Sequence, residues 1–254
     1  LVGSEMCIRD RNNSEDPETF AYYETLPERM ASASEGKGVA RVVYWPGEFN
    51  YSQIINFGVE HAKGDYLLLL NNDTEVISPD FIEEMMSYLQ RPDAGVVGAK
   101  LYFADHLVQH TGILVGVRGA LAHANQDFLA KREGYLARAV RPGNFSAVTG
   151  ACQMVRRDVF ERVGGYNEEF AVGFNDADFC LRVWEAGFRT IFTPYAELYH
   201  YEFTSRGREE ANKEKLRRWK REQALFMQRW PEFFLTGDPW LGLNLSAESE
   251  YFSL

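Results

Sequence analysis

A short apolar segment that ends in three polar residues constrains the fold of this chain more than any other feature. Residues 66–70 follow a Gly-Asp pair and lead directly into Asn71-Asn72-Asp73. Five apolar residues are too few to cross a membrane and suit a strand that is buried on both faces of a sheet. Open α/β sheets bind their ligands at the carboxyl ends of such strands. The segment therefore predicts a buried strand that presents the Asp73 carboxylate at a ligand-binding edge.

Two interpretations of this polar triplet are open at this point. Asn and Asp side chains also form ordinary turns, in which they bond to the nearby backbone. A carboxylate fixed at a strand end and flanked by amides instead suits a divalent metal that holds a diphosphate. The other motifs of the chain must decide between a turn and a metal site.

Predicted strands and helices alternate over the first hundred residues. Strands are predicted at 39–44, 64–73, 95–103 and 107–115, and helices at 18–26, 51–63 and 79–89. Asn50 and Ser78 are the predicted N-caps of the last two helices, and Pro79 suits a first helical position. This alternation favours a mostly parallel sheet flanked by helices.

The second half of the chain begins with a long loop at 116–146, and loops of this length in compact domains are usually functional or mobile. Beyond it we predict strands at 148–156, 189–193 and 198–201, and helices at 158–163, 175–186 and 208–230, followed by an irregular tail.

Composition excludes several classes of protein. A chain of 254 residues with a net charge of −10 lacks the basic surface that general binding to DNA or RNA requires. Its apolar runs are shorter than the roughly 18 residues of a membrane span. Cys7, Cys152 and Cys180 are scattered without the spacing of metal ligands, and we interpret the last two as buried thiols of a reducing compartment. We expect a cytoplasmic protein that does not bind nucleic acid.

The first eleven residues, 1–11, have no strand pattern and do not resemble a signal peptide. They run abruptly into the polar segment 12–17. We interpret 1–11 as a non-native scar or a mistranslated junction that has replaced the true beginning of the domain.

A second acidic cluster lies at the predicted start of the helix at 175–186. Asn175 is a suitable N-cap, and Asp178 at the third helical position completes a capping interaction. Asp176, at the first position, is expected to point toward the preceding loop. A carboxylate placed there can remove a proton from an acceptor hydroxyl.

A series of motifs, each weak alone, occurs in a specific order. The series contains Asn50-Tyr51-Ser52, Asn56, Gly58, Gly64-Asp65, Asn71-Asn72-Asp73, Thr149-Gly150-Ala151, Gly164-Gly165-Tyr166, Asn175-Asp176-Ala177-Asp178 and His200. It resembles glycosyltransferase family 2, the inverting sugar-nucleotide enzymes with the GT-A fold, a Rossmann-like sheet flanked by helices. The resemblance covers about residues 12–207 and is greatest to the branch that builds O-antigen and rhamnose-containing surface polysaccharides. The segment 208–254 then forms a basic helix and a tail.

The resemblance implies a Mg²⁺ or Mn²⁺ cofactor and assigns metal binding to Asp73 and His200. Asp73 stands where the family has the last aspartate of its metal-binding triplet, and Asn71 and Asn72 replace the others. Donor binding is assigned to a set of five residues, namely Asn56, Asp65, Asn71, Asn72 and Arg206.

The resemblance also implies an acceptor site and a general base. Asp176 stands at the position of the base, and Thr149, Gly150 and Asn175 stand at acceptor-binding positions. The expected partners are a nucleotide-sugar donor and a saccharide or lipid-linked saccharide acceptor. Family members open with a strand–helix–strand unit whose end carries an aspartate, and Arg11 stands in its place. We therefore expect a GT-A domain without this first unit, with poor donor binding and a tendency to self-associate.

Two other functions remain as alternatives. One is a non-catalytic carbohydrate- or nucleotide-binding remnant of the fold. The other is a sugar nucleotidyltransferase, which needs a glycine-rich basic loop in its first strand–helix unit, the part of the domain that we expect to be missing here. The segment from Arg206 to Arg221 has eight basic and three acidic residues, a local charge of +5. It forms either a solvated helix face or a peripheral contact with an anionic membrane surface.

Overall fold

The computed structural model describes the backbone of residues 5–10 and the whole of residues 17–35, 38–201 and 212–254. In chain order the strands are β1 (Glu5–Asp10), β2 (Val39–Tyr44), β3 (Tyr66–Leu70), β4 (Thr74–Val76), β5 (Ala94–Tyr102), β6 (Val108–His110), β7 (Ile113–Val115), β8 (Leu121–His123), β9 (Gly143–Asn144), β10 (Cys152–Arg156) and β11 (Arg189–His200). The α-helices are α1 (Pro17–Ala33), α2 (Tyr51–His61), α3 (Phe81–Leu89), α4 (Arg157–Arg162), α5 (Asn175–Glu185), α6 (Lys213–Arg229) and α7 (Pro231–Thr236).

A seven-stranded mixed sheet forms the centre of the molecule. Its main path is β3-β10-β5-β11-β4, with β6 paired to β5 and β9 paired to β11. β10 is antiparallel to both β3 and β5, while β5 and β11 are parallel. β3, β5 and β11 therefore run in one direction, and β4, β6, β9 and β10 run against them. The predicted α/β fold is confirmed, but its sheet is mixed instead of mostly parallel.

Helices cover both faces of this sheet. On one face α3 contributes Phe81, Met85 and Leu89 to a core with Val97 and Leu101 of β5. The other face carries the larger core, to which α2, α4, α5 and α6 contribute side chains. Neighbouring β5 residues face opposite layers because side chains alternate along a strand. The result is the predicted arrangement of a sheet between two helical layers.

β3 differs from the predicted strand buried on both faces. Leu67 and Leu69 are buried, but Tyr66 and Leu68 are half-buried and Leu70 is 43% exposed. Within the described residues β3 pairs with β10 alone and ends the path of the sheet. An end strand keeps one edge outside the ladder, which explains its partial exposure.

The beginning of the chain also differs from expectation. The prediction that residues 1–11 contain no strand is wrong, because β1 lies at Glu5–Asp10 and pairs in parallel with β2. α1 connects the two, so β1, α1 and β2 form a strand–helix–strand unit. α1 also continues through Pro27 to Ala33, seven residues beyond the end of the helix predicted at 18–26.

The other predicted boundaries are close to the observed ones. Asn50 caps α2 as predicted, since its side chain accepts the Gln53 N–H at 3.1 Å. Ser78 does not cap α3, which begins at Phe81, because its hydroxyl accepts the Glu197 N–H instead. Cys152 and Cys180 are buried thiols as predicted, and burial raises the pKa of both to about 12. In the part of the chain that the structure describes, every helix is too short or too polar to cross a bilayer.

Candidate functional site

The ends of β3 and β11 bring Asp73 and His200 together. The turn 71–73 connects β3 to β4, and the first residue of β4, Thr74, pairs with His200 at the end of β11. This register places the Asp73 Oδ1 atom 3.3 Å from His200 Nε2. The Tyr201 N–H donates to the Asp73 carbonyl at 2.9 Å, which fixes the turn against β11. Two residues that are 127 positions apart therefore form one contact.

Hydrogen bonding determines which nitrogen of His200 faces Asp73. The Nδ1 atom lies 2.8 Å from Gln109 Oε1, an acceptor, so Nδ1 carries the proton in the neutral imidazole. The Nε2 atom is then an acceptor, and it faces the Asn71 amide nitrogen and the Asp73 Oδ1 atom, each 3.3 Å away. An imidazole whose second nitrogen is bound in this way is typical of a metal ligand.

The donor set fits a divalent cation that also binds an anionic ligand. Asp73 supplies a carboxylate oxygen and His200 an imidazole nitrogen. The Asn71 side chain lies beside them, with its nitrogen toward His200 and its oxygen toward the Tyr51 hydroxyl. Within the described ranges no cluster of three or more His, Cys, Asp or Glu side chains suits a metal ion. Two such ligands would fill only part of the coordination shell of a divalent cation and would leave positions for phosphate oxygens and water.

Asp176 is connected to this pair through a short hydrogen-bonded path. Its Oδ2 atom accepts the Gly150 N–H at 3.0 Å and its Oδ1 atom accepts the Ala177 N–H at 2.8 Å. The Gly150 carbonyl accepts the Tyr51 hydroxyl at 2.9 Å, and that hydroxyl lies 3.4 Å from Asn71 Oδ1. The two predicted acidic centres therefore lie in one region, and Asp176 is half-buried there.

The start of α5 differs by one residue from the predicted one. Phe174 is the N-cap, with a φ of +63°, and Asn175 is the first helical residue. The Asn175 side chain is buried and donates to the Val172 carbonyl at 3.0 Å, which closes the loop before the helix. Asn175 therefore does not act as the predicted cap, and its amide is used within the protein.

Asp178 is a buried ion-pair centre instead of the predicted helix-start cap. Its side chain is 0% exposed. It accepts hydrogen bonds from Arg182 Nε at 2.8 Å and Trp230 Nε1 at 3.1 Å. It also forms an ion pair with Arg229, whose Nε atom lies 2.9 Å from Oδ1. Arg182 lies one turn along α5, and the other two donors lie at the end of α6 and directly after it. Asp178 thus joins α5 to α6.

Two histidines near the site were missed by the sequence analysis. The His110 Nε2 atom accepts the Thr149 N–H at 3.3 Å, and its Nδ1 atom lies 3.2 Å from His123 Nδ1. Burial, and then the charges of His123 and His200, lower the pKa of His110 well below its usual value. A neutral His110 therefore holds the Thr149-Gly150 turn. Isolated histidines on three-residue strands offered no periodic signal that could have identified them.

The other predicted donor-binding residues have varied surroundings. Asn71 lies in the site and Asn72 is exposed beside it. Asn56 bonds through both amide atoms to the Tyr166 backbone, which holds the loop before α5. Asp65 precedes β3, at the opposite end of a five-residue strand from the triplet, or roughly 20 Å away. Arg206 lies outside the described residues.

Comparison with known proteins gives consistent matches. The family model described as "Glycosyltransferase like family 2" matches residues 31–223. The protein y4gI of Sinorhizobium fredii, which is uncharacterized, is 42% identical over 207 residues, which cover 81% of this chain and 23% of that protein. The O-antigen biosynthesis protein RfbC of Myxococcus xanthus is 38% identical over 77% of this chain and 15% of its own length. An N-acetylglucosaminyl-diphospho-decaprenol L-rhamnosyltransferase of Mycobacterium tuberculosis is 28% identical over 58% of this chain and 50% of its own length.

Solved structures are similar in fold at low sequence identity. GalNAc-T7, solved with UDP, GalNAc and Mn²⁺, superposes with a TM-score of 0.60 at 13% identity, over 92% of this chain and 50% of that one. The mannosyltransferase PcManGT from Pyrobaculum calidifontis, solved with GDP-Man and Mn²⁺, has a TM-score of 0.50 at 15% identity, over 81% of this chain and 58% of that one. This chain spans half or less of the length of the curated relatives named above.

Proposed function

This chain belongs to glycosyltransferase family 2 and has the GT-A fold, and we propose that it transfers a sugar from a nucleotide-diphosphate sugar to an acceptor hydroxyl. The acceptor in this proposal is a growing surface polysaccharide or a lipid-linked saccharide. The names of two relatives, an O-antigen biosynthesis protein and a rhamnosyltransferase that acts on a diphospho-decaprenol, support this class of acceptor. The observation that carries the proposal is the contact between Asp73 and His200. A hydrogen-bonded path through Asn71, Tyr51 and Gly150 connects this pair to Asp176.

In this proposal Asp73 and His200 would hold Mg²⁺ or Mn²⁺, and Asn71 beside them would bind the donor. The cation, when bound, neutralises the charge that develops on the diphosphate leaving group. Gln109 keeps the His200 ring in the orientation and tautomer that this role requires, through its contact with Nδ1. The titles of two solved structures of the same fold include Mn²⁺, which agrees with this choice of ion.

Asp176 acts as the general base in this proposal. The acceptor oxygen attacks the anomeric carbon, the bond from that carbon to the diphosphate oxygen breaks, and the hydroxyl proton moves to the Asp176 carboxylate. The Gly150 and Ala177 N–H groups hold this carboxylate in one orientation. A single displacement inverts the anomeric configuration, and a second carboxylate nucleophile is not needed.

A peripheral membrane contact through α6 is part of the proposal. Lys213, Arg217, Lys220 and Arg221 are exposed and lie on one face of this helix, since they are spaced by four, three and one residues. An anionic surface attracts such a row, and a lipid-linked acceptor would be presented there. Co-sedimentation with vesicles that contain anionic lipid tests this contact. We expect binding that Arg217→Glu/Lys220→Glu reduces and that Lys131→Glu, on an exposed loop, does not.

The experiment that tests the function is a thermal-shift screen of nucleotide sugars with Mg²⁺ or Mn²⁺, followed by a transfer assay with the donor that stabilises the protein most. Ligands that bind the folded state raise the unfolding temperature, and the rise grows with the ratio of ligand concentration to Kd. Metal-dependent stabilisation followed by product with inverted configuration is the expected result. If the donor stabilises the protein but is neither transferred nor hydrolysed, the chain is instead a binding remnant of the fold.

A further inference from the structure

Glu222 is a buried carboxylate for which the proposed reaction has no use. It lies in the middle of α6 and is 1% exposed. Its Oε1 atom accepts the Ala171 N–H at 3.0 Å and its Oε2 atom accepts the Gly173 N–H at 2.8 Å. A buried acidic side chain is costly unless it is paired or well bonded. Glu222 is compensated by these two N–H groups and by Arg218, whose Nε atom lies 3.9 Å from Oε1. The two amides that it binds belong to the loop that leads directly into Asp176.

This loop, residues 170–174, is also held from the opposite side by α2. The Tyr51 N–H donates to the Ala171 carbonyl at 2.7 Å, and the Ser52 hydroxyl donates to the Phe170 carbonyl at 2.6 Å. The loop therefore lies between α2 and α6, with polar contacts to both helices. Its backbone bonds are provided largely by these two neighbours.

The last residue of the loop has a conformation that requires such support. Phe174 has a φ of +63°, in the left-handed region that non-glycine residues seldom adopt. Such backbone geometry persists only where the surrounding contacts enforce it. Two residues later along the chain, the Asp176 carboxylate accepts the Gly150 N–H at the candidate site. A shift of the loop would therefore move Asp176 directly.

We propose that Glu222 is a positioning residue that holds the 170–174 loop, and through it Asp176, in the geometry required for transfer. The inference rests on the proposed function, because it takes Asp176 as the base. Two N–H groups need two acceptor oxygens, and a carboxylate provides both. Glutamine has the same shape but turns an NH₂ group toward one of the two donors, so one bond is lost.

The first test is Glu222→Gln in the full chain, with Glu214→Gln as the matched control. Glu214 lies on the same helix, and it is exposed. We expect the transfer rate constant of the Glu222→Gln variant to fall by about 10- to 100-fold, since a misplacement of about 1 Å has an effect of that size. Its KM for the donor should stay within about twofold, because only the base moves. The control should transfer at the wild-type rate.

A second variant distinguishes an effect of the position of the loop from an effect of lower thermal stability. A Cβ atom on Gly173 would lie 3.3 Å from Glu222 Oε2, so Gly173→Ala presses the loop away from an intact carboxylate. We expect it to lower the rate as well, and to have little added effect in the Glu222→Gln background. Val159→Ala, in a buried position of α4, provides a control for thermal destabilisation alone.

Amide hydrogen exchange gives a readout that does not depend on activity. Slow exchange at Ala171 and Gly173 in the wild type, and fast exchange in Glu222→Gln, are expected if the carboxylate holds the loop. If the wild type transfers sugar and Glu222→Gln matches it, the inference is wrong and the proposed function stands. If the wild type transfers no sugar, the proposed function fails. If the two amides exchange equally fast in the wild type and in Glu222→Gln, the inference that Glu222 holds the loop is wrong, whether or not the wild type transfers sugar.

Discussion

Replacement of Asp178 by Asn tests the assignment of the two aspartates at the start of α5. The buried Asp178 carboxylate accepts hydrogen bonds from Arg182 and Trp230 and forms an ion pair with Arg229. Asparagine keeps one acceptor oxygen and turns an NH₂ group toward the Arg182 guanidinium. The variant therefore loses one charge-assisted bond outright and weakens the pair with Arg229.

The magnitude follows from the type of bond and its exposure. A hydrogen bond to a charged group contributes about 1.5–3 kcal/mol to stability, and removal of one partner from a buried pair costs about 3–5 kcal/mol. Arg229 is 42% exposed, so its share is reduced by solvent, whereas Arg182 is 12% exposed and keeps most of its effect. We expect a loss of about 3 kcal/mol in the free energy of unfolding. At roughly 2–4 °C per kcal/mol for a chain of this length, Tm should fall by about 6–12 °C.

Urea denaturation and thermal unfolding of the purified chain measure this change. Asp158→Asn is the control, because Asp158 also pairs with an arginine, Arg156, but is 64% exposed there. Its replacement should cost no more than about 1 kcal/mol, as is usual for surface ion pairs. The reasoning is refuted if the two variants lose similar stability, or if Asp178→Asn stops sugar transfer while its Tm is unchanged. The second result would make Asp178 the base.

Three further predictions concern the site. Asp73→Asn should weaken Mn²⁺-dependent nucleotide binding by at least about 10-fold, or about 1.4 kcal/mol, in a calorimetric titration. Glu75→Gln, at an exposed position of β4, should bind normally, and equal affinities in the two variants would exclude Asp73 from the site. Asp176→Asn should reduce transfer by about 100- to 10,000-fold at unchanged donor affinity, and turnover close to wild type would exclude it as the base. Because the pKa of His110 lies well below its usual value, the unfolded chain binds this proton first as pH falls. Stability should therefore drop below about pH 6.5, by up to about 1.4 kcal/mol per pH unit. His110→Asn should lack this part of the drop, and identical pH profiles from urea melts would contradict the argument.

Local sequence signals were sufficient for most of the sheet and helices. β2 lies at the predicted residues because a β-branched run ends at Trp45-Pro46-Gly47, and Asn50 caps the next helix. Predictions failed where a distant residue decided the outcome. Ser78 has the chemistry of a cap, but the Glu197 N–H, 119 positions away, uses its hydroxyl. A single-sequence pattern contains no information about such a competitor.

The site could be predicted only where local sequence signals marked its residues. Asp73 and Asp176 lie at element ends where polar residues interrupt apolar patterns, so their positions were visible in the sequence. The pairing of Asp73 with His200 depends on the register of β4 against β11, and only the resemblance to a family suggested it. His110 and Gln109 act through backbone and ring contacts that no motif marks.

Helix geometry explains why two aspartates that lie two residues apart have different surroundings. Successive residues of an α-helix are rotated by about 100°, so positions 176 and 178 differ by about 200° and face opposite sides of α5. Asp176 faces the Gly150 turn at the edge of the sheet, whereas Asp178 faces the end of α6. The first turn of α5 thus presents the Asp176 carboxylate to the site, whereas its Asp178 carboxylate binds α5 to the end of α6. Because α6 also binds the preceding loop through Glu222, it contacts the chain before Asp176, at Gly173, and after it, at Asp178. The position of Asp176 therefore depends on α6, a helix that follows it by almost forty residues and contributes no side chain to the proposed reaction.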